Sequence, residues 1–138
     1  MWKQWSREKR IPCPGKIRKI RGSFAWLDHK IRSKCLACMS LEELALYVFL
    51  VLASDAEGIS YYRMETISDV FGISWSQFQE ARQRLIDKGL IAFEPLSEHE
   101  VNGFYQVLDV DEGAIERWIK QNSFFSLRGL NDGKRQGA

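Results

Sequence analysis

A chain of 138 residues, 45% hydrophobic and 28% charged, is long enough for one hydrophobic core and has the composition of an ordinary soluble globular domain. Its longest apolar run, Leu44 to Ala53, is about half of the roughly 20 residues a membrane span needs, which argues for a core helix and against a membrane partner. The formal net charge of +2 hides an asymmetry: residues 1–22 hold eight basic groups and one acidic, a net +7, and the other 116 residues are net −5.

A basic arm on a mildly acidic body is an arrangement in which the arm can seek an anionic polymer while the body stays soluble. The bland alternative is a solvated terminus. No apolar stretch follows the N-terminal basic residues as a signal peptide would require, and three cysteines fit a reducing cytosol better than a disulfide framework. A cytoplasmic location is therefore expected.

Pro12, Pro14, Gly15 and Gly22 interrupt regular structure, so residues 1–22 are expected to be a flexible arm rather than a helix. A folded domain is expected over 23–126, with its core at 40–108, and a disordered tail over 127–138. Ser23 is placed to cap a short helix with Phe24, Leu27 and Ile31 on one face. Ser40-Leu41-Glu42-Glu43 has the form of a capping box, and the apolar run behind it predicts a central helix buried almost all round. Gly58 ends that helix, and Ile59–Tyr62 is a short strand candidate.

Ile67, Val70 and Phe71 form a short helical stripe, Gly72 stands where a left-handed C′ residue is needed, and Ile73 plugs the turn. Ser74-Trp75-Ser76-Gln77 is a second capping box, opening a helix with Phe78, Ala81 and Leu85 on its buried side and ending at Gly89. Leu90–Phe93 and Phe104–Val107 then predict an antiparallel hairpin around a loop from Pro95 to Gly103. Asp109 or Asp111 is expected to cap a last helix with Ile115, Trp118 and Ile119 on one side. Trp26, Phe49, Phe71 and Phe104 are expected in the core.

The order short helix, glycine turn, second helix and Gly89-Leu90-Ile91 resembles the winged helix-turn-helix superfamily, to which transcription regulators and plasmid or phage replication initiators belong. The resemblance spans about residues 40–108. It implies a mainly α fold with a small antiparallel β-hairpin and extra N- and C-terminal helices. It also implies a non-enzymatic protein that binds double-stranded DNA, as a transcriptional regulator or a mobile-element or plasmid replication-associated protein, with its second helix in the major groove.

The outward face of that helix carries Ser76, Gln79, Glu80, Gln83, Arg84 and Asp87. Gln79 and Gln83 suit bidentate contact with adenine edges, Ser74 and Ser76 a phosphate or base, and Arg84 a phosphate or guanine. Lys16, Arg18, Lys19 and Arg21 of the arm would follow phosphates or a minor groove, and Trp2 and Trp5, interleaved with Lys3 and Arg7, are placed to stack on an unpaired base or to pack on the body. The pattern departs from the superfamily in its acidic loop, with Glu94, Glu98 and Glu100 against His99 alone. That departure supports the rival expectation, an adaptor that uses the same skeleton against a protein partner. A positive track joining Arg82, Arg84, Lys88 and the arm would favour DNA, and acidic potential over 74–88 and 94–103 the adaptor.

Two further constellations stand outside this reading. Cys13, His29, Cys35 and Cys38 could in principle close a structural zinc site, but only one C-x2-C pair is present and Cys35-Leu36-Ala37-Cys38-Met39 is also apolar enough for core cysteines. No cofactor is expected. No P-loop, G-x-S-x-G or H-E-x-x-H occurs, and the paired carboxylates Glu42-Glu43 and Asp111-Glu112 fall in first helical turns, where the helix dipole favours them. The stripe Ile115, Trp118 and Ile119, followed by Phe124-Phe125, either packs on the Leu44–Ala53 helix or pairs a homodimer.

Overall fold

In the computed structural model, which describes residues 8–19 and 21–122, the first long helix, α1 (Leu41–Ala53), begins at the expected capping box. The Ser40 hydroxyl accepts from the Glu43 backbone at 3.1 Å, and the Glu43 carboxylate accepts from the Ser40 backbone, also at 3.1 Å. The helix is not buried all round. Glu43, Leu46, Tyr47, Leu50 and Val51 form one stripe at helical spacing and are buried, whereas Leu41 and Leu52 lie at the surface, 82% and 70% exposed. An apolar sequence outlines a helix, but only its neighbours decide which side is covered.

Strand β1 (Ile59–Tyr62) follows a turn tied by Asp55, whose side chain accepts from the backbones of Glu57 and Ile59. Helix α2 (Met64–Phe71) buries Met64 and Ile67, not the stripe Ile67, Val70 and Phe71: Val70 is exposed, and Phe71 meets Phe49 edge-on near the surface. Gly72 closes α2 in the left-handed conformation, φ +65°, and Ile73 packs against the core. Helix α3 (Trp75–Asp87) opens at the second capping box and buries Phe78, Ala81 and Leu85, as its periodicity predicts.

Strands β2 (Ile91–Pro95) and β3 (Gly103–Val107) pair antiparallel, from Ile91 opposite Val107 to Pro95 opposite Gly103. The sheet is not a hairpin, because β1 pairs with the other side of β3, Ile59 opposite Gln106 through Tyr62 opposite Gly103, giving the order β1-β3-β2. That pairing joins segments some forty residues apart, which a reading of local turns does not reach. Pro95 is tolerated because β2 is an edge strand. Gly103 is required by close approach: a Cβ there would stand 2.0 Å from the Glu94 carbonyl oxygen.

The last helix, α4 (112–122), is capped by Asp111, whose carboxylate accepts from Ala114 N–H at 3.2 Å. Ile115 enters the core and the ring of Trp118 lies 4.5 Å from Lys88 Nζ, so two of the three residues considered for a homodimer pack within the chain; Ile119 stays exposed. Residues 8–19 carry only a 3-10 turn, Pro14–Lys16. The helix expected at Ser23 is absent. Helical structure starts at 29, where the Asp28 side chain accepts from Lys30 N–H, and Phe24 and Leu27 are exposed. Trp26 and Phe104 are likewise at the surface, 71% and 47% exposed, and the core aromatics are Tyr47, Phe78 and Tyr105. The expectations for Trp2, Lys3, Trp5, Arg7, Phe124-Phe125 and the tail 127–138 lie outside the described residues. Among the described residues no helix is long and apolar enough to cross a membrane.

One ion pair crosses this core. Lys88 and Glu43, each 1% exposed, face one another, and Lys88 Nζ also donates to the Cys38 carbonyl. Lys88→Met leaves Glu43 buried with only Arg84 as a distant counterion, and a loss of about 3–5 kcal/mol in urea unfolding is expected. Gly103→Ala, which drives a methyl into backbone, is expected to cost about 3 kcal/mol or more. Gly72→Ala, whose added Cβ meets nothing within 4 Å, should cost only the left-handed backbone penalty, about 1–2 kcal/mol; equal losses at the two glycines would contradict this assignment.

Candidate nucleic-acid interface

Helix α3 holds its buried side with Phe78, Ala81 and Leu85, which turns Ser76, Gln79, Glu80, Gln83, Arg84 and Asp87 outward, all exposed. Several of their polar groups already have partners. The Ser74 hydroxyl accepts from Gln77 N–H at 3.1 Å and lies 3.3 Å from the Ser76 hydroxyl. Gln83 donates its amide to Asp87 at 2.9 Å. Arg84 pairs with Glu80 one turn back and reaches Glu43 at 3.8 Å. Gln79 has no side-chain partner among the described residues. Trp75, 52% exposed at the first turn of α3, extends this face; its place inside the capping box gives no sequence signal of that.

The predicted arm cations Lys16, Arg18, Lys19 and Arg21 form a second group. All four are exposed, and no ion pair engages them among the described residues. No hydrogen bond or ion pair joins this group to α3 among the described residues.

The positive track considered from Arg82 through Arg84 to Lys88 is not formed. Arg82 folds beneath the β2–β3 loop: it donates to the Val101 carbonyl at 3.0 Å and to the Tyr105 hydroxyl at 3.2 Å, and its guanidinium stands 4.2 Å over the Phe93 ring. Lys88 is inside the protein. Phe78, Ala81, Leu85 and Lys88 continue one i, i+3, i+7, i+10 stripe, so its burial had a periodic signal in the sequence. Across from α3, the loop 96–102 is closed at its neck by Leu96 N–H to the Asn102 carbonyl, 3.0 Å, with Glu98, His99 and Glu100 exposed at the tip. The buried Asn102 side chain accepts from Met64 N–H at 2.8 Å and so caps α2 from across the chain. The face made by α3 and this loop is therefore polar and acidic, with Arg84 as its one exposed cation, held by Glu80 and Glu43.

The candidate ligands Cys13, His29, Cys35 and Cys38 are not assembled into a metal site: no group of three or more His, Cys, Asp or Glu side chains among the described residues could hold a metal ion. Cys13 is exposed in the arm. Cys35 is buried, and that burial, with Cys38 and Asp28 nearby, pushes its thiol up to about 11 despite Lys88. Burial raises Cys38 as well, and its thiol lies 3.1 Å from the Cys35 carbonyl. No protein-family model, curated protein or solved structure matches this chain.

A neutral Cys35 thiol stabilises the fold below its ordinary value near 9, and this contribution is lost as the pH rises from about 9 through 11. Stability against equilibrium unfolding should accordingly fall over that interval, and less so in Cys35→Ala measured against its own value at neutral pH. With a disulfide reagent near pH 8 in native buffer, Cys13 is expected to react first while Cys35 is protected. Prompt reaction of all three thiols would contradict the packing described here.

Proposed function

We propose that this chain binds double-stranded DNA as a winged helix-turn-helix protein, in a transcriptional or mobile-element or plasmid replication-associated role. The observation that carries this reading is connectivity. α1, β1, α2, α3, β2 and β3 follow in order, β3 lies between β1 and β2, and α2 turns into α3 at Gly72. On this reading the polar start of α3 enters a major groove.

On this reading Trp75, Ser76, Gln79 and Gln83 meet base edges, with Gln83 exchanging its bond to Asp87 for one to a base. Lys16, Arg18, Lys19 and Arg21 neutralise phosphates and supply most of the affinity. The loop 96–102 stays off the backbone because its carboxylates repel phosphate. DNA binding and a cytoplasmic location belong to the same reading.

A second reading has its own observation. Arg82, Arg84 and Lys88 are all engaged by groups of the protein itself, so the α3 face is acidic apart from the arm, which suits a basic protein partner.

Fluorescence anisotropy with a random-sequence duplex separates the two. For the full chain, log K is expected to fall against log salt with a slope of about −0.9 per neutralised phosphate, and the fourfold Gln variant of Lys16, Arg18, Lys19 and Arg21 should lose about 3–4 units of slope. Gln79→Ala should instead relax sequence preference, by about 1–3 kcal/mol at one base pair, and leave the slope unchanged. No binding by the full chain at low salt would remove the DNA reading and leave the protein partner.

A further inference from the structure

On the side of the body where the chain leaves the arm, the segment 24–28 stands off the C-terminal half of α1 and encloses, with the turn 54–58 and residues 107–110, a cavity of about 390 Å³. This falls within the size range of small-molecule sites. Its walls include Phe24 and Trp26, which are 68% and 71% exposed, and its lining includes Val51 and Tyr47. Four carboxylates, Asp28, Asp55, Glu57 and Asp109, also line it, with no lysine or arginine among the lining residues. None of the four is in an ion pair among the described residues.

An independent feature points to a ligand. Tyr47 is only 3% exposed and lines the cavity, yet its hydroxyl makes no hydrogen bond among the described residues. Burial, with Cys35 and Asp28 nearby, pushes it up to about 12, so it is a neutral hydroxyl at physiological pH, able to accept from a cation or donate to a carboxylate. The carboxylates do not converge as metal ligands among the described residues. They are spread around a volume that suits a molecule rather than an ion.

We propose that this cavity binds a small organic cation, a free primary amine carried on an apolar or aromatic body. The ammonium takes its place among Asp28, Asp109 and the Tyr47 hydroxyl. The body lies against Phe24, Trp26 and Val51, where aromatic faces favour both apolar contact and positive charge. The site is independent of the α3 face, and its test needs no nucleic acid.

The probe is 2-phenylethylammonium, titrated into the full chain by calorimetry beside its neutral counterpart 2-phenylethanol and its anionic counterpart phenylacetate. The expected result is saturable binding of the amine with a Kd below about 1 mM, and binding of the alcohol and the acid weaker by about tenfold or more. The variant Asp109→Asn/Glu57→Gln removes two charges whose side chains make no hydrogen bond among the described residues, so it should fold normally and lose about tenfold in amine affinity. Tyr47→Phe should weaken the amine about threefold or more and leave the alcohol nearly unchanged. Nα-acetyl-lysinamide distinguishes a protein side chain from a free amine, and tighter binding of it than of phenylethylammonium would overturn the assignment to a free amine. Absence of saturable amine binding, equal affinity for the alcohol, or undiminished binding in the charge variant would overturn the site itself.

Discussion

Two helices in this chain carry an apolar stripe with one charged residue at its end, and the fold is organised around the meeting of those two charges. Glu43 opens the stripe Leu46, Tyr47, Leu50 and Val51 on α1, and Lys88 closes the stripe Phe78, Ala81 and Leu85 on α3. A buried charge without a partner is costly by several kcal/mol, so the helices can pack deeply only in the register that brings Glu43 to Lys88. The pair does more than neutralise itself. One carboxylate oxygen of Glu43 holds the Ser40 backbone and so starts α1, while the other receives Lys88. Lys88 in turn donates to the Cys38 carbonyl and lies over Trp118. Four parts of the chain, the segment before α1, α1 itself, the end of α3 and α4, thereby meet at one ammonium group. A hydrophobic pair of similar volume would fill the space but would not discriminate against neighbouring registers, which is the best-attested use of buried polar groups.

The same pairing shapes what the surface can do. A helix presented to DNA usually brings its own cations, but Lys88 points inward, Arg84 is held between Glu80 and Glu43, and Arg82 supports the base of the β2–β3 loop. Structural partners hold the basic residues of α3, and the exposed groups left beside them are amides, hydroxyls, carboxylates and the Trp75 ring. On the proposed DNA-binding reading, attraction and discrimination would be divided between parts of the chain, long-range charge in the arm and directional hydrogen bonding on α3. Such a division would make association sensitive to ionic strength through one segment and to base sequence through another.

Most local structure was legible from residues that act on near neighbours. The boxes at Ser40 and Ser74, the turn glycine Gly72 and the stripe Phe78, Ala81 and Leu85 involve partners within a few positions, and the structure has them as expected. Long-range relations were not legible in the same way. The third strand could be read from Ile59–Tyr62, but its partner, β3, is set by packing of distant segments. Trp26, Phe71 and Phe104 look like core residues by type, yet Trp26 lies in an irregular segment, Phe71 at the end of α2, and Phe104 on the face of the sheet that the short domain leaves uncovered. Ser23 lost to Asp28 as a helix start, a competition between two acceptable caps that sequence alone does not rank. For the candidate interface, the outward set on α3 was legible from its helical phase. The partners that engage Arg82 and Arg84 were not, because long side chains choose among acceptors that only the folded chain brings near.

The neck of the β2–β3 loop is fastened three ways: the Arg82 guanidinium holds the Val101 carbonyl, the Asn102 side chain caps α2, and Leu96 N–H bonds to the Asn102 carbonyl. Beyond that neck the tip is a small turn, Glu100 N–H to the Ser97 carbonyl at 3.1 Å, whose side chains are exposed and serve no part of the core. Residues 97–100 are thus insulated from the stability of the domain. Mutational drift, or a deliberate graft, can rewrite their length and charge while the anchors and the packing behind them remain.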